Sequence, residues 1–179
     1  MSHLLDPQLL FQKAQVQPAM HIADFGCGRT GHVVFPASLI VGERGFVYAV
    51  DILKDVLESI RKRADAQSLI NIHTIWSDVE RIGKTAIPAK SLDIVFLVNT
   101  LSHGQQSLNA LEEANRLLRD KGRIVVVDWY KPSPSLGPKE EDFIDFDIVK
   151  SWANSMGYVV QEEFEAGIFH WGIVLFRQQ

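Results

Sequence analysis

Apolar and polar positions along the chain follow two alternating patterns. Short runs rich in Val, Ile and Phe, each ending at a polar residue, are typical of buried strands. The longer segments between them carry apolar residues three and four positions apart, as amphipathic helices do. The predicted strands cover residues 20–25, 46–50, 70–75, 91–98 and 123–127. The predicted helices cover residues 7–17, 30–41, 53–66, 105–118 and 143–156, with a short one at 79–82.

Strands that are separated by helices predict a parallel sheet with right-handed crossovers. The pattern changes after the fifth strand, where several prolines predict an irregular loop over residues 130–142. Beyond the last helix, apolar runs at residues 158–165 and 169–177 flank a turn and predict a hairpin. We therefore expect a single Rossmann-like, doubly wound α/β domain over residues 1–179. A helix within residues 1–17 should cover a face of the sheet or lie across the mouth of a site.

One segment joins an apolar strand to a glycine-rich turn. Residues 21–31 read His-Ile-Ala-Asp-Phe-Gly-Cys-Gly-Arg-Thr-Gly. Gly26 and Gly28 let the backbone turn tightly and approach a ligand, while Gly31 allows close packing of the next helix. Asp24 is the unusual member of this segment. A carboxylate two residues before such a turn repels a pyrophosphate and attracts a cation or hydroxyl groups.

Acidic residues also follow the next two strands. Asp51 ends the second strand 20 residues past Gly31, where a carboxylate accepts hydrogen bonds from ribose hydroxyls. Asp78 follows the third strand and is interpreted both as a partner of a polar ligand group and as a helix N-cap. Because the carboxyl ends of parallel strands meet at one edge of a sheet, we expect Asp24, Asp51 and Asp78 to line one site.

With these strand ends in place, the chain resembles the class I methyltransferases that use S-adenosylmethionine, over nearly its whole length. The resemblance implies a seven-stranded sheet in the order 3-2-1-4-5-7-6, with strand 7 antiparallel. It also implies that Asp24 and the glycines surround the methionyl part of the cofactor and that Asp51 holds the ribose. Residues 77–79 would touch the adenine, and residues 99–101 would face cofactor and substrate. The implied cofactor-binding residues are Asp24, Gly26, Cys27, Gly28, Gly31, Asp51, Ile52, Ser77, Asp78, Val79, Asn99, Thr100 and Leu101.

A nicotinamide-dependent dehydrogenase is the nearest alternative, because the three glycines together with Asp51 also satisfy the dinucleotide-binding fingerprint. The charge of the ligand separates the two interpretations. S-adenosylmethionine carries a sulfonium and an ammonium and no phosphate, so Asp24 is favourable beside it. Beside a pyrophosphate at ~4 Å the same carboxylate would cost about 1 to 4 kcal/mol. The C-terminal hairpin also favours a methyltransferase.

Composition is that of an ordinary soluble domain, with 46% apolar and 22% charged residues and no apolar stretch of membrane-spanning length. The first residues show no export signal, so the cytoplasm is the expected location. A single cysteine, Cys27, leaves no internal disulfide and no thiolate cluster, and we expect no metal site. The net charge of −4 disfavours nucleic acid as a substrate without excluding it.

Candidate catalytic residues follow the fourth and fifth strands. His103 is the first candidate for a general base that would take a proton from the acceptor, and Asp128 and Tyr130 come next. His32, beside the glycine loop, is interpreted as a capping or packing residue. The sequence does not decide whether a base is used at all, because methyl transfer from a sulfonium needs mainly positioning and exclusion of water.

The methyl acceptor stays open at this point. The layout is nearest to the small-molecule enzymes that methylate quinone precursors, with the loop at residues 130–142 on the substrate side. A methyltransferase acting on RNA or protein is the alternative, and it predicts a basic rim to which Arg29, Lys131 and Lys139 would contribute. A non-catalytic partner subunit that only binds the cofactor is a further alternative, which predicts affinity without turnover. The oligomeric state is not predicted.

Overall fold

A computed structural model describes residues 5–103, 107–134 and 136–178 of the chain. The helices are α1 (Pro7–Ala14), α2 (Val34–Val41), α3 (Lys54–Ala66), α4 (Ser107–Leu117) and α5 (Phe146–Ser155). The strands are β1 (His21–Phe25), β2 (Phe46–Asp51), β3 (Ile72–Trp76), β4 (Leu92–Val98), β5 (Leu118–Trp129), β6 (Tyr158–Gly167) and β7 (His170–Arg177). Short 3-10 helices cover Leu101–His103 and Glu140–Asp142. Among the described residues, no helix is long and apolar enough to cross a membrane.

The strands form one seven-stranded sheet in the order β3-β2-β1-β4-β5-β7-β6. Neighbours from β3 to β5 pair in parallel, whereas β7 runs antiparallel to both β5 and β6. The predicted strand order and the antiparallel seventh strand are confirmed. The strand order reverses between β1 and β4, and ligands of such sheets bind beyond the carboxyl ends of the strands at this point.

Side chains of the sheet alternate between two hydrophobic cores. On one face Ile22 and Phe96 are fully buried and pack with α1, α2 and α3. On the other face Ala23 and Leu97 are fully buried and pack with α4 and α5. In α1, the ring of Phe11 meets Phe96 edge-on with the ring centroids 5.8 Å apart. The N-terminal helix therefore covers the sheet, and the alternation along β1 places Asp24 on the same face as Ile22.

The glycine loop is longer than predicted, because α2 begins at Val34 and not at residue 30. Gly31 has a φ of +55°, a left-handed conformation that an α-helix of L-residues cannot include. The predicted packing role of Gly31 is confirmed, since a Cβ there would lie 2.6 Å from the ring of Phe35. Residues 30–33 form turns that belong to the loop.

The prediction of a helix at residues 79–82 is wrong, because these residues form turns and a bend. Asp78 does not cap a helix. Its Oδ1 atom accepts a hydrogen bond from the amide of Glu80 at 3.0 Å and forms a local turn. The predicted start of the last helix is also too early. Asp145 accepts a hydrogen bond from the amide of Asp147 at 2.8 Å, and this cap fixes the first helical residue at Phe146.

β5 starts at Leu118, directly after α4, five residues earlier than predicted. The predicted stop at Gly122 is wrong, because Lys121 takes the left-handed conformation there with a φ of +62°. Gly122 instead allows close packing, since a Cβ would lie 2.7 Å from the side chain of Leu118. The predicted first residues of α4, at 105–106, lie outside the described residues.

Candidate functional site

The glycine loop turns across the end of β2. The amides of Gly26 and Cys27 both donate to the carbonyl of Val50, at 2.8 and 3.1 Å. Gly26 has a φ of +72°, and a Cβ at this position would lie 2.9 Å from Oγ1 of Thr100. The hydroxyl of Thr100 donates to the carbonyl of Phe25 at 2.7 Å and so cannot easily move away. Glycine is therefore required where the loop passes the segment that follows β4.

Asp51, the last residue of β2, fixes this loop. Its Oδ2 atom accepts a hydrogen bond from the amide of Gly28 at 3.1 Å, and its Oδ1 atom accepts one from the amide of Leu53 at 3.0 Å. The residue is 8% exposed. Each carboxylate oxygen offers two lone pairs, so both oxygens keep capacity for hydroxyl groups of a ligand.

Asp24, in the neighbouring strand, has a different environment. It is 2% exposed, and among the described residues no hydrogen bond reaches its carboxylate. Burial, and next the negative charge of Asp51, raise the pKa of Asp24 to about 8. This raised pKa favours the protonated form of Asp24 in the ligand-free protein, and a positive group beside it would favour ionisation. Burial, and next the neighbouring carboxyl groups of Asp24 and Asp51, raise the pKa of the Cys27 thiol far above its ordinary value, so that this thiol stays protonated.

Two adjoining cavities open along the carboxyl edge of the sheet. The larger has a volume of about 410 Å³ and is lined by Leu5, Asp24, Gly26, Cys27, Gly28, Thr30, His32, Val33, Val98 and Asn99. The smaller has a volume of about 220 Å³ and is lined by Gly26, Asp51, Ile52, Ser77, Asp78, Val79, Glu80, Thr100 and Ala110. Because Gly26 lines both cavities, one elongated ligand can occupy them together. We call them the Asp24 cavity and the Asp51 cavity.

The predicted cofactor-binding residues all line one of these cavities, with the exception of Gly31 and Leu101. Gly31 packs against α2, as described above. Leu101 is buried, and its backbone amide donates to Asp128. The sequence reasoning thus identified the lining of the Asp51 cavity apart from Glu80 and Ala110.

Sequence reasoning missed half of the lining of the Asp24 cavity. Thr30 lies inside the glycine segment and Val98 ends β4, so both stand next to predicted positions and could have been found. His32 was interpreted as a capping or packing residue, but its ring lines the cavity. Leu5 reaches the cavity only because α1 folds over the sheet, and no local pattern of the sequence signals such a contact.

Asp128 lies at the end of β5 and is completely buried. Its Oδ2 atom accepts hydrogen bonds from the amides of Leu101 and Ser102, at 3.0 and 3.2 Å. Its Oδ1 atom accepts one from the amide of Trp129 at 2.9 Å. Burial raises the pKa of Asp128, and these hydrogen bonds act in the opposite direction. The geometry therefore gives Asp128 the task of fixing the backbone after β4, and this favours a positioning role over that of a base.

The structure gives less information on the other two catalytic candidates, His103 and Tyr130. His103 ends the 3-10 helix that Asp128 holds, and its side chain lies outside the described residues. Tyr130 follows β5 and is half-buried, with its hydroxyl 3.4 Å from Oε1 of Glu165. Its ring centroid is 5.7 Å from that of Trp171 in β7. Tyr130 does not belong to the described lining of the two cavities.

The groups in the two cavities fit the amino-acid and nucleoside parts of S-adenosylmethionine. Asn99 lines the Asp24 cavity with a φ of +54°, and its buried Oδ1 atom has no hydrogen-bond partner among the described residues. This oxygen and the Asp24 carboxyl can both accept from an ammonium group. In the Asp51 cavity, Asp51 keeps lone pairs for ribose hydroxyls. A pyrophosphate offers no positive charge that could stabilise the ionised form of Asp24, so the Asp24 cavity suits an ammonium group better.

The sequence is also similar to that of known methyltransferases. A family model described as methyltransferase domain matches residues 17–171. The chain is 26% identical over 165 residues to the ubiquinone/menaquinone biosynthesis C-methyltransferase of Pseudoalteromonas translucida, covering 92% of this chain and 62% of that protein. Another relative with this name, from Teredinibacter turnerae, is 26% identical over 148 residues, which are 82% of this chain and 58% of the relative. The chain thus spans about three fifths of the length of these curated relatives.

The fold has a solved counterpart of nearly the same extent. The structure of an S-adenosylmethionine-dependent methyltransferase from Aquifex aeolicus superimposes with a TM-score of 0.84 at 24% identity, covering 97% of this chain and 90% of that one. At this identity the likeness speaks for the fold alone. Together with the matching family model and the acids at the strand ends, it leads to one conclusion. The chain belongs to the class I methyltransferases, whose methyl donor is S-adenosylmethionine.

Proposed function

We propose that this chain transfers a methyl group from S-adenosylmethionine to a small-molecule acceptor. The observation that carries the proposal is the pair of adjoining cavities that share Gly26, one containing Asp24 and the other Asp51. The Asp51 cavity suits the adenosine part of the donor, and the Asp24 cavity suits the charged methionyl part. Leu5 and Val98 add an apolar wall to the Asp24 cavity, which an organic acceptor could contact.

The residues of the Asp51 cavity would bind the nucleoside. Asp51 would accept hydrogen bonds from the ribose hydroxyls while it holds the glycine loop through its two amide contacts. Ser77, Asp78 and Val79 would lie against the adenine, as the family resemblance implies. The hydroxyl of Ser77 is 3.1 Å from that of Thr85, so this part of the wall is fixed before a ligand arrives.

The donor supplies an electrophilic methyl group: a lone pair of the acceptor bonds to the methyl carbon, the electrons of the S–C bond return to sulfur, and the acceptor loses a proton to a base or to water. The protein contributes alignment of the reactants and exclusion of water. Asp128 would act as a positioning residue through the backbone of residues 101 and 102. His103 remains our proposed base. Tyr130 is a weaker candidate, because its hydroxyl faces Glu165.

The contacts of the basic residues that were proposed to form a rim favour a small acceptor over RNA or protein. Arg29 forms an ion pair with Asp55. Lys139 lies 3.3 Å from a carboxylate oxygen of Glu141, and the ammonium of Lys131 lies 4.5 Å from the centre of the Tyr130 ring. Carboxylates thus neutralise Arg29 and Lys139, and Lys131, which contacts an uncharged ring, is the one of these three that keeps its net positive charge for a phosphate backbone.

The names of the curated relatives point in the same direction. They refer to C-methylation in ubiquinone and menaquinone biosynthesis, which concerns small organic molecules. Since the chain spans only 62% of the Pseudoalteromonas translucida protein, the acceptor of that protein is not carried over to this chain. What the relatives support is the class of acceptor, not its identity.

Calorimetric titration with S-adenosylmethionine, S-adenosylhomocysteine and NADH tests the cofactor part of the proposal. We expect the first two to bind and NADH to give no heat of binding. Turnover is then measured as S-adenosylhomocysteine released in the presence of a panel of small phenols, amines and thiols, with transfer RNA and a peptide mixture as comparisons. Binding without turnover on any acceptor would support a non-catalytic subunit, and turnover on RNA alone would contradict a small acceptor.

A further inference from the structure

The methionyl end of S-adenosylmethionine brings two opposite charges into the Asp24 cavity. Its ammonium and its carboxylate are attached to the same carbon atom, so both must be accommodated within a few ångströms. Asp24 suits the ammonium and repels the carboxylate. A cavity with an acid at its base therefore needs a separate group that donates hydrogen bonds to the carboxylate, or the negative charge is left uncompensated.

Arg29 belongs to the glycine loop and Arg63 contacts it, but both already have other partners. Arg29 forms an ion pair with Asp55 on α3. Arg63 donates a hydrogen bond to the carbonyl of Thr30 at 2.9 Å, and its guanidinium lies 3.9 Å from the centre of the Phe35 ring. Neither arginine belongs to the described lining of the cavity. Both therefore contact the protein beside the loop and outside the described lining of the cavity.

His32 is the remaining group in the described lining that can carry a positive charge. Its Nε2 atom lies 3.1 Å from the backbone carbonyl oxygen of Leu5. A carbonyl oxygen only accepts hydrogen bonds, so Nε2 must carry a hydrogen, and Nδ1 is the nitrogen left for a ligand. A protonated imidazole donates from both nitrogens, to Leu5 through Nε2 and to a carboxylate through Nδ1. The contact with Leu5 orients the ring in advance.

The backbone beyond His32 favours the same ligand group. α2 begins at Val34, only two residues later, and no side chain of the described residues caps its first turn. The amino end of a helix carries a partial positive charge, which stabilises an anion placed near it. A carboxylate bound by His32 would therefore lie close to the amino end of α2, which favours an anion.

From these observations we infer that His32 binds the carboxylate of the donor's methionyl end, opposite Asp24, which binds the ammonium. This inference rests on the proposed function. It gives His32 a role in the recognition of the amino-acid part of the donor, in place of the packing role that the sequence suggested. It also makes Leu5 a supporting residue, because the carbonyl of Leu5 holds the imidazole.

The test compares two ligands that differ only in the carboxylate: S-adenosylmethionine and its decarboxylated form, which keeps the sulfonium and the ammonium. Calorimetry is performed with the wild type, His32→Ala, His32→Gln and Asp24→Asn. We expect His32→Ala to weaken the binding of S-adenosylmethionine about tenfold, as for a lost hydrogen bond to a charged group, and to leave the decarboxylated ligand within about twofold. His32→Gln keeps an amide donor and should recover part of the loss. Asp24→Asn should weaken both ligands.

Three results would overturn the assignment: unchanged affinity of His32→Ala for S-adenosylmethionine, an equal loss for both ligands, or no recovery with His32→Gln. Since His32 is exposed, both variants should melt at the wild-type temperature. That measurement separates a lost contact from a damaged fold. If the wild type binds neither S-adenosylmethionine nor S-adenosylhomocysteine, the proposed function fails and this inference with it. If the wild type binds S-adenosylmethionine and S-adenosylhomocysteine, and the His32 variants bind S-adenosylmethionine with wild-type affinity, the proposed function stands and only the role of His32 is wrong.

Discussion

Asp24 and Asp51 end neighbouring strands of one sheet, yet their surroundings differ. Asp51 is fixed by two backbone amides and lies ready to accept further hydrogen bonds. Asp24 is more deeply buried and has no hydrogen-bond partner among the described residues, and its pKa is raised to about 8. One acid is therefore organised before the ligand binds, and the other depends on a positive ligand for its charge.

The comparison explains how one loop can hold two chemically different parts of a ligand. The nucleoside offers hydroxyl groups, which an acid already fixed by Gly28 and Leu53 can accept without rearrangement. The methionyl end offers a positive charge, which removes the cost of ionising a buried carboxyl. Asp51 should thus stabilise both the folded loop and the bound ligand, whereas Asp24 should stabilise only the bound ligand.

The largest expected effect is that of Asp24→Asn on cofactor affinity. The amide keeps the size of the side chain but cannot provide the negative charge that the ammonium needs, so binding of S-adenosylmethionine should weaken about tenfold to a hundredfold. Calorimetry measures the dissociation constant. Wild-type affinity in this variant would show that the positive end of the donor does not lie against Asp24.

The same variant should change how the stability of the ligand-free protein depends on pH. Because the folded pKa of Asp24 is raised from 3.8 to about 8, the unfolded chain binds fewer protons between these values, and the stability of the wild type should fall as the pH rises through this range. Above about pH 8 this contribution becomes constant. Urea unfolding at several pH values should show the decline in the wild type and a smaller one in Asp24→Asn. Parallel curves for the two proteins would contradict the raised pKa.

Asp51→Ala should lower both affinity and stability. Loss of the ribose contacts weakens cofactor binding by about 1 to 3 kcal/mol. Loss of the acceptor for Gly28 and Leu53 lowers the free energy of unfolding by about 1 to 3 kcal/mol. Calorimetry and urea unfolding measure the two effects separately. An Asp51 variant that lost affinity at unchanged stability would remove the distinction between the two acids.

The smallest expected effect is a difference in stability between alanine variants of two glycines in the loop, Gly26 and Gly28. Both have positive φ, but a Cβ at Gly26 would collide with Thr100, whereas a Cβ at Gly28 would meet no atom of the described residues within 4 Å. Gly26→Ala should therefore destabilise the protein by about 1 kcal/mol more than Gly28→Ala, since both share the cost of the left-handed conformation. Thermal unfolding compares the two. Equal destabilisation would show that the contact with Thr100 does not restrict the loop.

The sequence predicted the sheet and most of the Asp51 cavity, because the signals for both are local. Apolar runs ending at Asp24 and Asp51 mark strand ends, and the glycines between them mark the loop. The predicted end of the second strand agrees with β2 within one residue, since Gly45 before it and Asp51 after it bound a clear apolar run. Such features depend on the periodicity of a few neighbouring residues, so they can be recognised without knowledge of the tertiary contacts.

Other features depend on contacts between distant segments and could not be predicted. Asp128 follows a strand just as Asp24 and Asp51 do, yet its carboxylate is used by the amides of residues 101 and 102, about 27 positions earlier in the chain. Leu5 lines a cavity only through the packing of α1. The early end of α4 at Leu117 likewise accompanies the pairing of Leu118 with Leu92 of β4, which lies 26 positions earlier in the chain.

The most direct test of the account is the number of protons released when S-adenosylmethionine binds. Calorimetry at neutral pH in buffers of different ionisation enthalpy gives this number for the wild type and for Asp24→Asn. If Asp24 is protonated in the free protein and ionised beside the ligand, the wild type should release about one proton more than the variant. Equal proton release by the two proteins would contradict the central claim that the charge of Asp24 depends on a positive ligand.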